Sequence, residues 1–470
     1  MTSEIGYSPS AYEILKAKLV FYGGDEQSGV DISEIINSVQ FVQSIDAVAY
    51  QGTVTLLDAA NMLEGENPIR GEETLKLEIQ AQDTQEKIIL DLAVYSVTDI
   101  KFDESLTGAQ YTLQVVSKST FAASKRRIIE AYNLKLSDTA REVFRKYFHP
   151  LSQPQDSEGL PFDTVRYSLI GSSTSAEARK SLWIQPTEGI VDCIIPNYLP
   201  TEAMLFLGSR SYNPDTPSNT YRFFENWNGY YYVTDEFLVS AGKETDQNFN
   251  LFYAPDVENT GGDPEAQVKR VDSLTVISRG TDTASDIFSG GYSNRVMELD
   301  LVRRTVTDHY FNYATDAEFV DMNGEKVRVE NMPHSPAFME ETFTRENGKD
   351  MIVFKDYASI GDMNGGGSLR GEAFFPQIAS NRIAYQHHLG AVTLSLTMKG
   401  RVDLIPGKVI HLSIQKVNVD REASMNEQLS GKYLIVNSAH AFVHGKLDTT
   451  LTVKKFDWSG TGLRSSGSEG

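Results

Sequence analysis

The chain has 470 residues, too many for one ordinary hydrophobic core, and a prior of roughly 150 residues per domain predicts about three domains. Hydrophobic residues make up 40% and charged residues 23%, a balance that excludes global disorder. Because 64 Asp and Glu outnumber 43 Lys and Arg, the formal charge is −21, and so acidic a surface disfavours binding to nucleic acid.

The apolar runs are short, and one of the longest, from Ile190 to Ile195, contains Asp192. A bilayer span needs about 18 apolar residues, so we predict no membrane insertion by this chain. The first twelve residues lack the basic and apolar regions of a signal peptide. Cys193 is the only cysteine and lies in an apolar run, which predicts a buried, unreactive thiol and assembly in a reducing cytoplasm.

The first part of the chain alternates apolar and polar residues, as in Leu75–Ile79 and Tyr111–Val115. Period two over short runs predicts strands with one solvated face. Turn signals at Glu64–Pro68 and Leu106–Ala109 are close enough to return the chain antiparallel. We therefore predict a small tube-like β-barrel domain over residues 1–125.

Residues 126–290 mix the period-two alternation of strands with the spacing of helices, which predicts an inserted α/β domain. Ser137–Thr139 offers N-cap oxygens to an amphipathic helix over Ala140–Phe148, and Pro200 favours the first turn of a second helix. The pattern over Tyr221–Val233 predicts a β-hairpin, with Asn228–Gly229 as its type I′ turn.

Alternation resumes after Gly390, in Val392–Met398, Val409–Ile414 and Leu447–Val453. These strands predict a second tube-like barrel, with insertions, over residues 291–458. Residues 459–470 are rich in Gly and Ser and predict a flexible tail. The fold class predicted is β-rich α+β, with two small antiparallel barrels and the mixed region inserted between them.

Motifs for chemistry are absent from the sequence, so we predict no enzyme and no catalytic, cofactor-binding or metal-binding residue. Local carboxylate pairs such as Glu298 and Asp300 are expected in so acidic a chain. His440 and His444 have a spacing that could join two ligands on one strand face, but a zinc site needs a further ligand. A strand surface is the preferred interpretation of that pair, and metal binding stays open.

Several segments in succession carry a family resemblance. In their succession they resemble the baseplate hub protein of contractile-tailed phages, and the segments from Gly400 onward are also similar to type VI secretion spike proteins. The segments are Asn67–Glu73, Ile195–Pro200, Ala203–Arg210, Ser218–Gly229, Gly290–Leu301, Gly400–Leu412, Ser430–His440 and Thr449–Val453. Pro406 and Gly407 within them suit a type II turn.

The resemblance implies a structural subunit of the virion tail baseplate, assembled in the host cytoplasm. In that family a homotrimer with two barrels per subunit makes a pseudo-sixfold ring between the tail tube, or tube-initiator proteins, and the central spike. DNA passes through the lumen without specific binding, and the net charge of −21 per copy suggests an acidic, repelling lumen. Because turns of a tube domain project toward neighbouring rings, we expect interface contacts at Glu64, Gly65, Asn67, Pro406 and Gly407.

Three alternatives stay open at this point. The aromatic hairpin Tyr221–Val233 could present rings to a glycan, as in a receptor- or carbohydrate-binding tail protein. A cell-wall hydrolase would fit the same particle, and a bacterial contractile injection system could use the same hub. Glycan-binding and cell-wall assays would separate the first two from a structural role.

Overall fold

Strands dominate the computed structural model, as the alternating pattern predicted. The structure describes the following residues: 11–24, 28–59, 62, 68–81, 87–102, 108–148, 152–155, 164–169, 181–241, 249–253, 264–279, 288–301, 304–320, 322, 326–328, 349–354, 375–415, 425–426 and 428–455.

The N-terminal part is an antiparallel sheet of seven strands in the order β2–β1–β5–β6–β7–β4–β3. A short 3-10 turn, Ser33–Ile35, precedes the third strand. The bounds are β1 Tyr12–Val20, β2 Val30–Asp31, β3 Ile36–Ser44, β4 Gln51–Asp58, β5 Thr74–Ala81, β6 Lys87–Phe102 and β7 Ala109–Ser117.

The middle part packs helices and an aromatic hairpin against two small sheets. One sheet runs β13–β14–β11–β10–β9 and the other is the antiparallel pair β8–β12. The bounds are α1 Lys118–Ala123, β8 Ile128–Lys135, α2 Leu136–Val143, a π-helical turn Phe144–Phe148, β9 Ser152–Gln155, β10 Thr164–Leu169, β11 Ser181–Ile184, β12 Ile190–Tyr198, α3 Pro200–Arg210, β13 Tyr221–Asn226, β14 Gly229–Thr234 and α4 Asp235–Ala241.

The C-terminal part returns to long antiparallel strands after a small sheet, β18–β17–β21, and a hairpin, β19–β20. The bounds are β15 Asn250–Tyr253, α5 Pro264–Lys269, β16 Val271–Arg279, β17 Ser293–Asp300, β18 Thr305–Asn312, α6 Tyr313–Asp316, β19 Glu318–Val320, β20 Lys326–Arg328, β21 Lys349–Phe354, α7 Phe375–His388, β22 Val392–Lys399, β23 Val409–Ile414, β24 Gly431–Val443 and β25 Lys446–Lys455.

Strand β24 joins the two ends of the chain into one sheet. Its first residues pair with β23, whereas Asn437–Val443 pairs with β3 on one edge and with β25 on the other. The order is therefore continuous from β16 through β22, β25, β24 and β3 to β4, β7 and β6. Phe442 and Leu447 at the tip of the β24–β25 hairpin are buried in the N-terminal core, so the two halves share a core as well as a sheet.

Each half of this sheet curls until its ends meet at a single residue pair. An isolated antiparallel bridge joins Ala11, just before β1, to Lys446 at the start of β25. A parallel bridge joins Phe252 of β15 to Arg270 beside β16. Among the described residues, these single bridges stand where a closed barrel would have a full ladder, so the sheet is β-rich and curled and no closed barrel is found. The domain limits stay a prediction.

The two helices predicted in the middle part exist, but the first begins earlier than its cap signals indicated. α2 starts at Leu136, with Lys135 at the N-cap. The hydroxyl of Ser137 is engaged elsewhere, because Thr187 N–H donates to Ser137 Oγ at 3.2 Å. The apolar face that predicted the helix is buried, including Val143 and Phe144.

The predicted aromatic hairpin is confirmed, whereas its turn type is wrong. Asn226 pairs with Gly229, so the two loop residues are Trp227 and Asn228. Neither has a positive φ, and the positive φ falls on Gly229, at 148°. A type I′ turn needs positive φ at both loop residues, which a tryptophan resists.

Candidate functional site

One face of the long sheet carries no charged side chain along the middle of eight neighbouring strands. Residues alternate between faces, and the buried face carries core side chains such as Leu394, Leu451, Phe41 and Leu113. The opposite face carries short hydroxyl, amide and small apolar side chains: Ser273, Thr275, Ser278, Thr393, Ser395, Thr397, Thr450, Thr452, Asn437, Ala439, Ala441, Gln40, Val42, Gln51, Thr53, Thr55, Thr112, Gln114, Ser96 and Thr98. We call this surface the uncharged sheet face.

Side chains on the uncharged sheet face hydrogen-bond across strands. The hydroxyls of Thr55 and Thr112 lie 3.3 Å apart, and Gln114 Nε2 donates to Thr98 Oγ1 at 3.0 Å. Threonine suits these positions because its branched side chain packs well on a pleated surface while its hydroxyl stays solvated. The surface is therefore polar, with neutral donors and acceptors.

Charged side chains on this side of the sheet lie near the strand ends. Lys399 faces Asp448 across β22 and β25, and Lys454 and Lys446 are close to the two ends of β25. The acidic lumen expected from net charge stays a prediction. The sequence signal for the uncharged sheet face is the alternation of Thr, Ser and Gln with apolar residues in β4, β22 and β25.

Behind this face, the aromatic hairpin of the middle part contacts β24. The rings of Trp227 and His440 have centroids 4.6 Å apart, and Trp227 N–H donates to Gln43 Oε1 at 3.3 Å. His440 is buried, with Nε2 3.2 Å from Ser438 Oγ and Nδ1 3.3 Å from Thr449 Oγ1. Burial lowers the pKa of His440 to about 3, against a smaller opposing effect of Asp403.

His440 and His444 do not form a ligand pair. β24 ends at Val443, and His444 lies exposed in the following turn with φ 49°. The expectation of a shared strand face fails because the chain reverses before His444, while both ring nitrogens of His440 contact hydroxyls. In the part of the chain that the structure describes, no group of three or more His, Cys, Asp or Glu could hold a metal ion.

A buried ion network ties the hairpin to the N-terminal sheet. Arg222 donates from Nη2 to Asp235 at 2.9 Å and also pairs with Asp46, which follows β3. Asp235 is fully buried. Attraction to Asp235 and Asp46 raises the pKa of Arg222 against the opposing effect of burial, which is the largest single influence. A guanidinium with two carboxylates fixes the orientation of the hairpin.

A second buried carboxylate, Glu225, binds the end of the N-terminal sheet. Ser117 Oγ donates to one carboxylate oxygen at 2.6 Å and Thr120 Oγ1 to the other at 2.8 Å. Ser117 ends β7 and Thr120 lies in α1, so Glu225 joins two elements to the hairpin. Tyr230 completes the cluster, with its hydroxyl 2.9 Å from Thr120 Oγ1.

Pro406 and Gly407 form the predicted type II turn and pack within the chain. Gly407 has φ +91°, and Lys408 N–H donates to Ile405 O at 3.3 Å. Asn226 Nδ2 donates to Pro406 O at 3.2 Å, and Pro406 is buried. A contact between this turn and another subunit stays a prediction. The other expected interface residues, Glu64, Gly65 and Asn67, lie outside the described residues.

A cleft of about 490 Å³ lies beside Trp227, lined also by Lys87, Asn228, Asp403 and Lys408 among others. Its one carboxylate, Asp403, accepts two hydrogen bonds of 2.7 Å from Arg401. Glycoside hydrolysis needs two carboxyls across a cleft. The residues that line this cleft therefore do not include the carboxylate pair of a glycoside hydrolase. No helix in the described ranges is long and apolar enough to cross a membrane.

The fold of the chain is similar to that of a solved tail protein. A tail protein from Neisseria meningitidis MC58 matches with a TM-score of 0.51 at 10% sequence identity, over 96% of this chain and 98% of that one. This likeness shows the fold and confirms, at that level, the resemblance to tail proteins found in the sequence.

Two further solved structures match with lower scores. The 43 kDa tail protein of prophage MuSo2 from Shewanella oneidensis has a TM-score of 0.49 at 10% identity, over 94% of this chain and 98% of that one. The E. coli c3393 protein, a type VI secretion component, has a TM-score of 0.37 at 8% identity, over 92% and 76%. No family model and no curated protein matches the chain.

Proposed function

We propose that the chain is a structural, non-enzymatic hub subunit of a contractile tail baseplate, forming a homotrimeric ring between the tail tube and the central spike. The observation that carries the proposal is one long sheet, in which eight neighbouring antiparallel strands share a face without charge along its middle. The Neisseria tail protein supplies the fold-level support. Virion location in the tail baseplate, and the tube and spike as partners, are part of the same proposal.

The width of the sheet suits a ring of three copies. Strands lie about 4.8 Å apart, so three copies of eight strands make a circumference of about 115 Å and a diameter of about 37 Å between backbones. Side chains extend about 5 Å from each wall, half the spacing of packed sheets, which leaves a channel of about 27 Å. Such a channel admits a B-form duplex, whereas two copies would leave only about 14 Å.

Two barrels per subunit are supported by the curled halves of the sheet and their closing bridges at Ala11–Lys446 and Phe252–Arg270. Three subunits would then present six similar units to a sixfold tube and a threefold surface to the spike. The shared strand β24 holds the two units of one subunit in a fixed relation.

The uncharged sheet face is the surface we assign to the channel. Phosphate groups are held by Lys and Arg and repelled by Asp and Glu, and hydroxyl and amide groups do neither strongly. A lining of Thr, Ser and Gln therefore lets DNA slide without an electrostatic trap. The acidic, repelling lumen expected from net charge stays a prediction, and a lining without charge along its middle is our alternative to it.

The first test is the mass of the purified protein by light scattering, together with negative-stain imaging of the same sample. We expect three times the chain mass of 52.3 kDa and rings with a central hole. A monomer at all concentrations would contradict the homotrimer.

A second test separates the channel surface from other surfaces. Thr53→Lys with Thr450→Lys places cations on the uncharged sheet face of the ring, and we expect duplex DNA binding in low salt that weakens steeply as salt rises. Ala131→Lys with Asn133→Lys, on the exposed strand β8, is the matched control. Equal DNA retention by both variants would contradict the assignment of the channel face.

A further inference from the structure

The antiparallel pair β8–β12 buries one face in the middle part of the chain and exposes the other. Cys193 and Ile195 of β12 are buried, whereas Ile194 between them is 68% exposed. In β8, Ile128 is buried and Ile129 is 73% exposed. An antiparallel pair with one solvated face normally carries polar side chains on that face. Two isoleucines of this exposure therefore mark the outward face of β8–β12 as unusual.

The exposed isoleucines belong to one continuous stretch of apolar side chains. The strand register places Ile194 opposite Ala131 and Pro196 opposite Ile129, as two successive cross-strand pairs on the outward face. All four residues are exposed. We call these four residues the apolar row. Contiguous apolar surface on a soluble protein favours an interaction site over an ordinary solvated strand face.

Cationic side chains lie at both ends of β8, and so at both ends of the apolar row. Lys125, Arg126 and Arg127 directly precede the strand, and all three are exposed. We call them the basic cluster. Arg127 Nη1 donates to Asn197 O at 2.9 Å, which holds the basic cluster beside the end of β12. Lys135, also exposed, is the last residue of β8 at the opposite end.

These charges decide which kind of partner fits the surface. A second copy stacked on the same face would set cations against cations in either orientation, because both ends of β8 are basic. A membrane surface or a nucleic acid presents many phosphates to the whole protein, and a formal charge of −21 repels them. Among the outward residues of β8 and β12 the one carboxylate is Asp192, which accepts a hydrogen bond from Asn133 Nδ2 at 2.5 Å. The complementary partner is therefore a short protein segment that carries carboxylates next to apolar side chains.

We propose that the apolar row and the basic cluster together bind an acidic, apolar segment of another protein. Its apolar side chains cover Ile129 and Ile194, and its carboxylates face Lys125 and Arg126. Burial of the isoleucines supplies affinity, whereas the cations fix the direction of the segment. Because β8–β12 is a sheet of its own, separate from the long sheet, this contact goes beyond the proposed ring and does not depend on it.

A synthetic peptide tests the surface in the full chain. The probe is a fluorescein-labelled peptide in which leucine alternates with serine over six positions and four glutamates follow. The matched control peptide has lysines in place of the glutamates. By fluorescence anisotropy we expect the acidic peptide to bind at least tenfold more tightly than the basic one. Its affinity should fall as salt is added, since the charges are exposed.

Two pairs of substitutions in the protein test the apolar row and the basic cluster separately. Ile129→Ser with Ile194→Ser should weaken binding of the acidic peptide at least tenfold. Its matched control is Ile277→Ser, at a position of β16 that is 60% exposed. The substituted side chains are exposed, so each variant should melt at the wild-type temperature.

Reversal of charge in the basic cluster is the second pair. Lys125→Glu with Arg126→Glu keeps the hydrogen bond of Arg127 and should also weaken binding of the acidic peptide at least tenfold. Lys101→Glu, at the exposed end of β6, is the control and should leave binding unchanged.

Failure of the acidic peptide to bind, or binding that neither pair of substitutions weakens, would overturn the proposed surface. Vesicles of phosphatidylcholine and phosphatidylserine in equal parts form the other arm of the test. Protein that floats with these vesicles and ignores the acidic peptide would show a membrane contact instead of a protein partner. The light-scattering mass tests the ring by itself, so the ring and this surface can fail independently.

Discussion

Trp227 lies on His440 with ring centroids 4.6 Å apart and planes inclined by 46°. The contact seats the turn of the aromatic hairpin on β24, the strand that both halves of the sheet share. The imidazole is kept neutral because burial opposes its charged form. The position of the middle part on the sheet therefore depends on an uncharged His440.

His440 should make the fold sensitive to mild acid. The unfolded chain binds a proton near pH 6.5, whereas the folded chain binds one only at about pH 3, where the pKa of His440 lies. Since the unfolded state then holds more protons, stability falls as the pH drops through this window, by up to about 1.4 kcal/mol per unit. Urea unfolding of the wild type and of His440→Gln from pH 7 to 5 should show a shallower slope for the variant.

The exposed His444 is the matched control for that measurement. His444→Gln should keep the pH slope of the wild type, because its side chain is exposed in the turn. Carboxylates contribute alike to the pH dependence of all three proteins. The difference between their slopes of unfolding free energy against pH therefore gives the contribution of His440. Identical slopes for His440→Gln and the wild type would contradict a neutral, buried imidazole.

Arg222 should be one of the most sensitive single positions outside the apolar core. Arg222→Ala leaves Asp235, fully buried, without its guanidinium, and breaking a buried ion pair this way costs about 3–5 kcal/mol. Arg145→Ala removes the exposed pair with Glu142 and should cost about 0–1 kcal/mol. The urea midpoints of the two variants test this, provided that the dependence of the unfolding free energy on urea is the same in both. Equal losses of unfolding free energy in Arg222→Ala and Arg145→Ala would show that the buried network does not stabilise the fold.

Gly52 should tolerate no side chain. It lies in β4 opposite Phe41, and a Cβ at this position would overlap Gln40 O and the Phe41 ring. Gly52→Ala must therefore push β3 away from β4, near the centre of the eight neighbouring strands, and should cost about 1–3 kcal/mol. Gly108→Ala is the control, since its Cβ would meet only Asp58 O at 3.3 Å. Thermal melting of both variants checks the difference.

Much of the fold could be predicted because period-two alternation is local. Strands such as β5 and β7 and the helix from Pro200 follow from their own residues. The joining of the two halves could not, since β24 pairs with β3 nearly 400 positions earlier in the chain. Local patterns carry no information on which distant strand becomes a neighbour.

The candidate site was missed for a related reason. The local pattern around Thr53 and around Thr450 predicts only a solvated position on a strand. The strand pairing is what places both residues on one surface. The turn at Gly407 is an expected interface because turns of tube domains project outward. Its turn type is confirmed, and its packing against Phe224 needed the tertiary structure.

Gly407 and Gly445 provide a comparison that separates backbone strain from packing. Both have positive φ, +91° and +75°, where an added Cβ costs about 1–2 kcal/mol. At Gly407 that Cβ would also lie 3.2 Å from Phe224 Cζ and 3.4 Å from Leu238 Cδ2, whereas at Gly445 nothing lies within 4 Å. Gly407→Ala should therefore destabilise the chain more than Gly445→Ala, measured by urea unfolding. Equal losses would mean that the Pro406–Gly407 turn packs loosely on the hairpin, and that surface would then be available to another subunit.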